Sequence, residues 1–583
     1  METLLTTFQT MVGHAIRRAF PGLEVYAFAA DVAPCAQEEF GHYQCNSAPR
    51  LSKILKKSPR EIAEQIVEHL DETARQSCSH IAIAGPGFIN FTLNPSFLSK
   101  ELDEQLQDPS LGAVTSAEKQ KIIVEFSSPN VAKELHVGHI RSTIIGDCLA
   151  RLFEFLGHDV LRLNHIGDWG TQFGMLIAYM LESAPDVLRG EAKTDLPSLM
   201  QWYRAAKKRF DEDADFKKRA QLQVVDLQAG DPKAIHAWKL ICDLSRRGFQ
   251  EIYDLLEARL TERGESFYNP YLKQVVDEFE AKGLVSISDG AKCIFLDGFV
   301  NREGEPLPLM IQKSDGGFNY DTTDLAALRH RIFVEHADRI IVVVDAGQSL
   351  HFQMIFAAGE KIGWFDRSTL PVEHVAFGLV LGPDGKKFKT RSGETEKLID
   401  LLTGAVNKAS QILQERLPDA SEEEIAELAK ILGIDAVKYA DLSTHRIKDY
   451  TFSYERMLRF EGNTAVFLLY AYVRIAGIKR KTHADMEAVL SAYKIALQHP
   501  TEISLGLHLR RFGEILEAFS KDLLPHRLCE YLYQLAEKFH AFFRDCRVEG
   551  AAEEGPRLVL CELTSRVLRQ GFEILGMKTV DRL

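Results

Sequence analysis

The sequence predicts a multidomain chain, α/β over its middle and all-α toward its end. Three observations carry this. The 583 residues are too many for one core, so two to four domains are expected. From Lys121 onward, short apolar runs alternate with helical runs, the pattern of a doubly wound parallel sheet. From about residue 406 to the end only helical spacing is found.

Residues 1–115 read as a separate α+β unit. METLLTTFQTMVGHAIRRAF is amphipathic and lacks a small-residue cleavage pattern after it, so it reads as a first helix and not a leader. Helical pattern dominates to Arg75. In SPREIAEQIVEHL, Ser58 is a helix cap and Pro59 fits the first turn. HIAIAGPGFINFTL reads as two strands joined at Gly85-Pro86-Gly87.

The second unit spans 116–405. KIIVEFS suits a buried parallel strand, IRSTIIGDCLARLFEFLG a helix stopped by Gly157, and DVLRLNHIGD the next strand. A charged helical insertion occupies about 175–290. Strand, loop and helix resume at DRIIVVVDAGQSLHFQMIFAAGEKIG and at VEHVAFGLVLGPDGKKFKTRSGE. Residues 406–583 complete the chain as helices.

The composition excludes several classes. No apolar run approaches the ~20 residues of a membrane span. Nine scattered cysteines with no CxxC pair argue against a zinc ribbon or disulfide framework and for a reducing, cytoplasmic setting. The net charge of −13 disfavours a general nucleic-acid binder, yet RLSKILKKSPR (50–60) holds five basic residues and no acid. Residues 441–481 are also locally basic. Such patches suit a phosphate backbone, because phosphate contacts are local; each can also be a solvated helix face.

The chemistry concentrates in SSPNVAKELHVGHIRSTIIGD, residues 127–147. In a doubly wound fold the loop after the first strand faces the ligand crevice, and the helix behind it points a partially positive end at phosphate. Gly138 permits close approach of a base or phosphate. His136 and His139 can donate hydrogen bonds to phosphate oxygens as charge builds there. Far downstream, GPDGKKFKTRSGE is glycine-rich and basic, which suits a mobile loop neutralising pyrophosphate. Together they point to an ATP site acting at the α-phosphate.

HVGH followed by a lysine-rich KMSK-like loop resembles the class I aminoacyl-tRNA synthetases. The segments LNHIGDWGTQFG, YDTTDLAALRHR, DAGQSLHF and HRIKDYTFSYERMLRFEGNTAVFLLYAYVRI narrow this to the arginyl-tRNA synthetases. GHYQCNSAPRLSK and GPGFINF extend the resemblance to the N-terminal unit. The cysteinyl type would need a zinc-binding cysteine cluster. A simple nucleotidyltransferase would share HxGH but be far shorter.

The resemblance implies a Rossmann-type catalytic domain, an N-terminal tRNA-contacting domain and a helical-bundle anticodon-binding domain. It implies ATP with Mg2+ as substrate, no structural metal, L-arginine and its tRNA as partners, a monomer and no membrane. It also implies a tRNA requirement for activation. His136, His139, Lys133 and Lys387 would be catalytic, with Gly138, Gly378, Leu379, Val380 and Lys389 completing the ATP site. The KMSK-like loop aligns as Lys387-Phe388-Lys389-Thr390, so Thr390 replaces the second lysine of the motif and Lys133 would compensate. Glu125 and Asn130 would hold the amino-acid end of arginine. Tyr320 and Asp324 would grip the guanidinium, and Gln348 would add a contact to the substrate. His165 would lie near ATP, and Asp345 would bind ribose or cap a helix. Gln44, Asn46, Asn90, Arg446, Lys448, Tyr470, Tyr472 and Arg474 would contact tRNA, although an aromatic stripe at helical spacing is more often core.

A guanidinium carries five donors in a planar fork, whereas a lysine ammonium is a point charge. A site built for the fork leaves acceptors unpaired with lysine. Arginine-dependent ATP–pyrophosphate exchange is expected to exceed lysine-dependent exchange by roughly four to five powers of ten; comparable rates for the two amino acids would contradict a fork-specific site.

Overall fold

Four short strands near the start of the chain form an antiparallel sheet in the order β1-β2-β4-β3: β1 (Val32–Pro34), β2 (Tyr43–Cys45), β3 (Cys78–Ala84) and β4 (Phe88–Leu93). β3 and β4 are the expected hairpin, with Gly85 and Gly87 at positive φ in its turn. β1 and β2 were not foreseen, because three-residue strands carry too little alternation to detect. Helix Leu4–Ala19 packs Leu4, Phe8, Val12 and Ile16 inward, and Phe8 stacks on Tyr43 at 5.4 Å. Ser58 caps helix Pro59–Glu68 by accepting from Glu61 N–H, with Pro59 in its first turn, as expected.

The structure is a computed structural model that describes residues 1–23, 29–382, 384–386, 388 and 397–583. It divides into two compact units. Residues 1–117 share one unit with 458–583 and a short piece at 416–418. The two ends of the chain are thus not separate bodies. Tyr43 Oη donates to Glu514 Oε1 at 2.6 Å, and Leu5 N–H donates to the same oxygen at 3.0 Å. Arg510, on helix Pro500–Arg510, pairs with Glu101 at 2.9 Å. The C-terminal part of this unit is helical, including Ala465–Lys481, His526–Asp545 and Glu554–Ile574.

The other unit holds residues 118–415 and 419–457. Its sheet runs β12-β11-β5-β6-β7, every neighbour parallel: β5 (Lys121–Glu125), β6 (Asp159–Asn164), β7 (Thr261–Glu262), β11 (Arg339–Val342) and β12 (Val372–His374). Ile123, Leu163, Ile340 and Val342 are buried in the sheet and pack with Phe279, Leu325, Phe352 and Trp364. Each such side chain contributes about 1.5–3 kcal/mol when taken fully out of water. The chain leaves β5 to build β6 and β7, then returns to the other side of β5 with β11. The switch point therefore lies between β5 and β11, where ligands bind in open α/β sheets.

Two expectations need correction. The region expected as a helical insertion at 175–290 contains β7, which joins the parallel sheet, and it leads into a small antiparallel sheet of β8 (Ser286–Ser288), β9 (Ala291–Val300) and β10 (Pro306–Gln312). A two-residue strand is invisible to any periodicity. The expected boundary at 405/406 falls inside helix Leu398–Arg416, whose Leu398, Leu401, Leu402 and Ala405 are all buried. Nor is the remainder purely helical: β14 (Tyr450–Thr451) pairs in parallel with β13 (Val380–Leu381).

One buried ion pair ties this unit together. Arg141 lies on helix Val137–Phe155 and Asp441 on helix Glu422–Leu442. Their side chains are 1% and 0% exposed and meet at 3.1 Å. Arg141 also donates to the Lys448 carbonyl at 2.9 Å and lies 5.3 Å from the Tyr450 ring. Removing one partner strands a buried charge. Arg141→Met is expected to cost about 3–5 kcal/mol in urea unfolding, and the double change Arg141→Met with Asp441→Leu to recover most of it.

Candidate active site

The helix that starts at Val137 is capped by its own histidines. His136 is the N-cap, and its Nδ1 accepts from Gly138 N–H at 3.1 Å. His139 Nδ1 accepts from His136 N–H at 3.1 Å. The rings lie 4.0 Å apart. An acceptor Nδ1 puts the proton of a neutral imidazole on Nε2, so each ring keeps an N–H to donate elsewhere. Burial pushes the pKa of His139 down to about 3, helped by His136 and Lys133. Burial and then Lys133 also lower His136. Both rings are neutral donors at pH 7. A Cβ on Gly138 would come within 2.8 Å of the His136 ring, so this glycine is required by the cap itself as well as by any ligand.

The loop between β5 and this helix is strained. Ser127 and Ser128 have φ of 71° and 46°, and Ala132 has 61°. Non-glycine residues at positive φ cost of order 1–3 kcal/mol and persist where surrounding contacts fix them. Here Ser127 N–H donates to Ser142 Oγ at 2.9 Å, Ser127 Oγ lies 2.8 Å from Tyr253 Oη, and Ser128 N–H donates to Asn164 Oδ1 at 3.0 Å. Ser142 Oγ in turn donates to the Val343 carbonyl at 2.6 Å.

Lys387, Lys389 and Thr390 lie outside the described residues. The flanks of their loop are defined. Gly378 N–H donates to the Arg446 carbonyl at 2.8 Å, and Leu379 N–H to Asp449 Oδ1 at 2.6 Å. A Cβ on Gly378 would meet the Ile447 and Lys448 backbone at 2.7–2.8 Å and Asp449 Oδ1 at 2.6 Å, which explains the glycine. Val380 is buried and Leu379 is 42% exposed. On the far side, Lys397 bridges to His136, Leu398 N–H donates to the Leu135 carbonyl at 3.0 Å, and Lys397 Nζ pairs with Glu134 at 3.0 Å. The loop thus re-enters the fold beside the histidines.

Acids gather beyond β11. Helix Tyr320–Phe333 is capped by Asn319 and presents Tyr320, Asp321 and Asp324. His351, on helix Ser349–Ile362, bridges the two acids: Nε2 to Asp324 Oδ2 at 2.6 Å and Nδ1 to Asp321 Oδ1 at 3.2 Å. Burial opposes its charge, but the bonds to Asp321 and Asp324 win and raise its pKa to about 9. Burial likewise opposes ionisation of Asp324, yet His351 and the neighbouring His165 hold its carboxyl below the usual range. Glu265 has no such partner. Burial, then Asp324 and Asp168, push it up to about 8.

Several expected residues are committed to the framework. Glu125 is buried against Arg331, with Oε2 2.5 Å from the guanidinium, so its charge is already matched. His165 Nε2 is 3.7 Å from Asp324 Oδ1, which sets it beside the acid cluster. Asp345 caps the turn at 346–348 by accepting from Gly347 N–H. Asn130, Gln348 and Tyr320 are exposed. Of the candidates for tRNA, Tyr472 is only 5% exposed, with its hydroxyl bound by Arg569 at 2.5 Å; it is a core residue, as helical aromatic spacing commonly gives. Asn90 is 5% exposed and accepts from Gln44 at 2.7 Å across the β2–β4 pair. Arg446 donates to the Ala376 carbonyl at 2.7 Å and braces the loop flank. Lys448 is exposed, and Asn46 is half-buried at the start of helix Ser47–Leu55. Tyr470 stays 37% exposed, with Arg474 4.7 Å from its ring.

The sequence reading missed His351, Asp321, Glu265 and Arg331. His351 sits inside the quoted DAGQSLHF and Asp321 inside YDTTD, so position alone could have raised both. Glu265 lies in a turn with no periodic signal.

Residues 101–454 match the family described as "tRNA synthetases class I (R), catalytic domain". The chain belongs to the arginyl-tRNA synthetase family. Residues 6–93 match the arginyl tRNA synthetase N terminal domain and 468–583 the DALR anticodon binding domain. The chain is 61% identical over 585 residues to an arginine–tRNA ligase of Protochlamydia amoebophila and 52% identical over 585 residues to that of Chlamydia felis, covering 100% of each chain in both cases. A crystal structure of the arginyl-tRNA synthetase from Plasmodium falciparum superposes with a TM-score of 0.87 at 34% identity, over 100% of both chains. The three-domain arrangement and the class I catalytic sheet of this synthetase family are thus those of the chain.

kcat/KM reports the pKa values of the free enzyme. With burial lowering both histidines, His139 to about 3, kcat/KM for ATP in pyrophosphate exchange is expected to show no limb from either at or above the ordinary imidazole pKa of about 6.5. Such a limb, lost in His136→Asn or His139→Asn, would show that an imidazolium is required.

Proposed function

We propose that the crevice at the β5–β11 switch point carries out both halves of the enzyme's reaction. That reaction is the ATP-dependent ligation of L-arginine to its tRNA through arginyl-adenylate, with release of pyrophosphate and AMP. The arginine carboxylate attacks the α-phosphorus and pyrophosphate leaves. The terminal ribose hydroxyl of tRNA then attacks the activated carbonyl and AMP leaves. No protein nucleophile is needed, so the residues act by positioning and by stabilising charge.

The observation that carries this reading is the juxtaposition of neutral N–H donors at a helix start with a cluster of carboxylates across the same switch point. His136 and His139 donate through Nε2–H to phosphate oxygens, over Gly138. Lys133 supplies the charge that the lysine-to-threonine departure at Thr390 removes, a role supported by its electrostatic reach to both rings. Gly378, Leu379 and Val380 offer backbone groups to adenine, and Lys387 with Lys389 meets the pyrophosphate. Mg2+ travels with ATP: among the described residues no group of three or more His, Cys, Asp or Glu could hold it, so phosphate oxygens and water would be its ligands.

Arginine lies with its guanidinium between Asp324 and Glu265, beside Tyr320. Like-charge repulsion between two half-buried acids is relieved by one cation, which is what the raised Glu265 pKa calls for. Asn130 and Gln348 reach the amino-acid end, and Glu125 acts there with its partner Arg331. For tRNA, Tyr470 and Lys448 are the exposed candidates, with half-buried Arg474 beside Tyr470, and Gln44 with Asn46 marks the N-terminal domain's contact. The three-part division into tRNA-contacting, catalytic and anticodon-binding regions, a monomeric state and a cytoplasmic location complete the proposal. Among the described residues no helix is long and apolar enough to cross a membrane.

The test is arginine-dependent ATP–pyrophosphate exchange, with and without arginine-accepting tRNA. Exchange only with tRNA supports a site completed by tRNA. Exchange without it keeps the activity and removes that coupling, and none in either case overturns the assignment. A second expectation concerns pH. Glu265 is largely protonated at pH 7 in the empty site and must ionise to hold a guanidinium. kcat/KM for arginine is therefore expected to climb until pH passes about 8, and Glu265→Gln to abolish that climb.

A further inference from the structure

His351 stands where a substrate cation would be expected. It occupies one oxygen of Asp324 and one of Asp321, two acids on successive turns of one helix. Asp324 Oδ2 accepts its bond at 2.6 Å. Asp324 Oδ1 lies 3.7 Å from His165, beyond hydrogen-bond distance, and among the described residues no hydrogen bond reaches it. Asp321 Oδ2 is taken by Asn319 at 3.0 Å. A bidentate guanidinium fork on Asp324 is thus blocked, and one oxygen is left for the ligand.

We infer that His351 is a positioning residue for arginine, capping one oxygen of Asp321 and one of Asp324 so that Asp324 Oδ1 alone is turned to the guanidinium. This rests on the reading of Asp324 as an arginine ligand. The charge count supports it. Asp321 and Asp324 with the imidazolium leave one negative charge, and Glu265 adds a second when it ionises, so with His351 in place three carboxylates face two cations rather than one. Without the imidazolium the two acids would share a proton or repel each other, as paired carboxylates do. The ring is also held sterically. Tyr320 lies 5.2 Å from it, and Phe352 packs edge-on at 5.0 Å.

The charged and titratable groups facing His351 are Asp321, Asp324 and Tyr320 from the helix at 320–333, and His374 from β12, which His351 disfavours in its charged form. Glu265 and His165 act one step away, through Asp324. The two bonds keep His351 protonated up to about pH 9. Its contribution is present below that pH and lost above it.

The experiment measures KM for arginine, KM for ATP and kcat in aminoacylation by the full chain, across pH 6–10, for the parent, His351→Gln, His351→Ala and Asp324→Asn. His351→Gln keeps a donor of similar reach and guards against a folding defect in His351→Ala. At pH 7 His351→Ala is expected to raise KM for arginine about tenfold and His351→Gln less, with kcat and KM for ATP within about twofold; one lost charge-assisted bond corresponds to roughly tenfold. The ratio of His351→Ala to parent KM cancels the titration of arginine's own amino group. It is expected to fall toward one as pH passes about 9. An unchanged KM in both His351 variants, or a ratio flat with pH, overturns the inference. If Asp324→Asn retains arginine KM, the arginine-site reading itself fails; if Asp324→Asn is crippled while the His351 variants are normal, only this inference fails.

Discussion

The catalytic sheet parts at its carboxyl edge between β5 and β11, and one hydroxyl holds that parting. Ser142 Oγ donates to the carbonyl of Val343, just past β11, and accepts from Ser127 N–H, just past β5. It sits one and a half turns into the helix that His136 and His139 begin. The ends of both central strands and the helix that carries the histidines are therefore fixed to one point. The positive φ of Ser127 and Ser128 is tolerated because Ser142, Tyr253 and Asn164 hold that backbone from three directions. Without this tie the histidines and the acid cluster would not face the same crevice.

Two kinds of electrostatics then sit side by side. The histidines are desolvated, mutually close and near a lysine, so they remain neutral dipoles with a fixed tautomer. Neutral donors can bind ATP without adding charge that must later be released from pyrophosphate. Across the switch point the opposite arrangement holds. Acids outnumber cations there, and burial with the neighbouring Asp324 and Asp168 raises Glu265 to about 8. The same burial that silences His139 leaves His351 charged, because His351 alone has two carboxylate partners. Environment, not residue type, separates the neutral histidines at the helix start from the charged one among the acids.

Much of this was legible in the sequence, for reasons that differ by element. β5 stood out as a short apolar run, β6 by the apolar Val160, Leu161 and Leu163 within DVLRLN, and the helix between them because Gly157 ends it cleanly, with φ of 92°. HVGH was legible because its residue types and spacing serve one job. Strands of two or three residues, β1, β2, β7 and β14, were not legible, since they exist only through their partners. Arg446, Asn90 and Tyr472 looked like ligand-facing residues because side-chain chemistry says nothing of direction. Only packing shows that each is turned inward, onto the Ala376 carbonyl, Gln44 and Arg569 respectively. Glu265 escaped because its meaning comes from Asp324, remote in sequence.

The shared unit at the two chain ends has a consequence for how the polypeptide acquires its shape. Leu5 N–H and Tyr43 Oη meet Glu514 across sequence separations of 509 and 471 residues. Contacts that close such long loops are the most expensive in chain entropy and form slowly. During synthesis the sheet that holds Tyr43 is made well before its acceptor on helix Phe512–Asp522. The β5–β14 unit has all its strands in place before then. The contacts of Leu5 and Tyr43 with Glu514 therefore cannot form until that helix has been made, long after the strands β5 to β14.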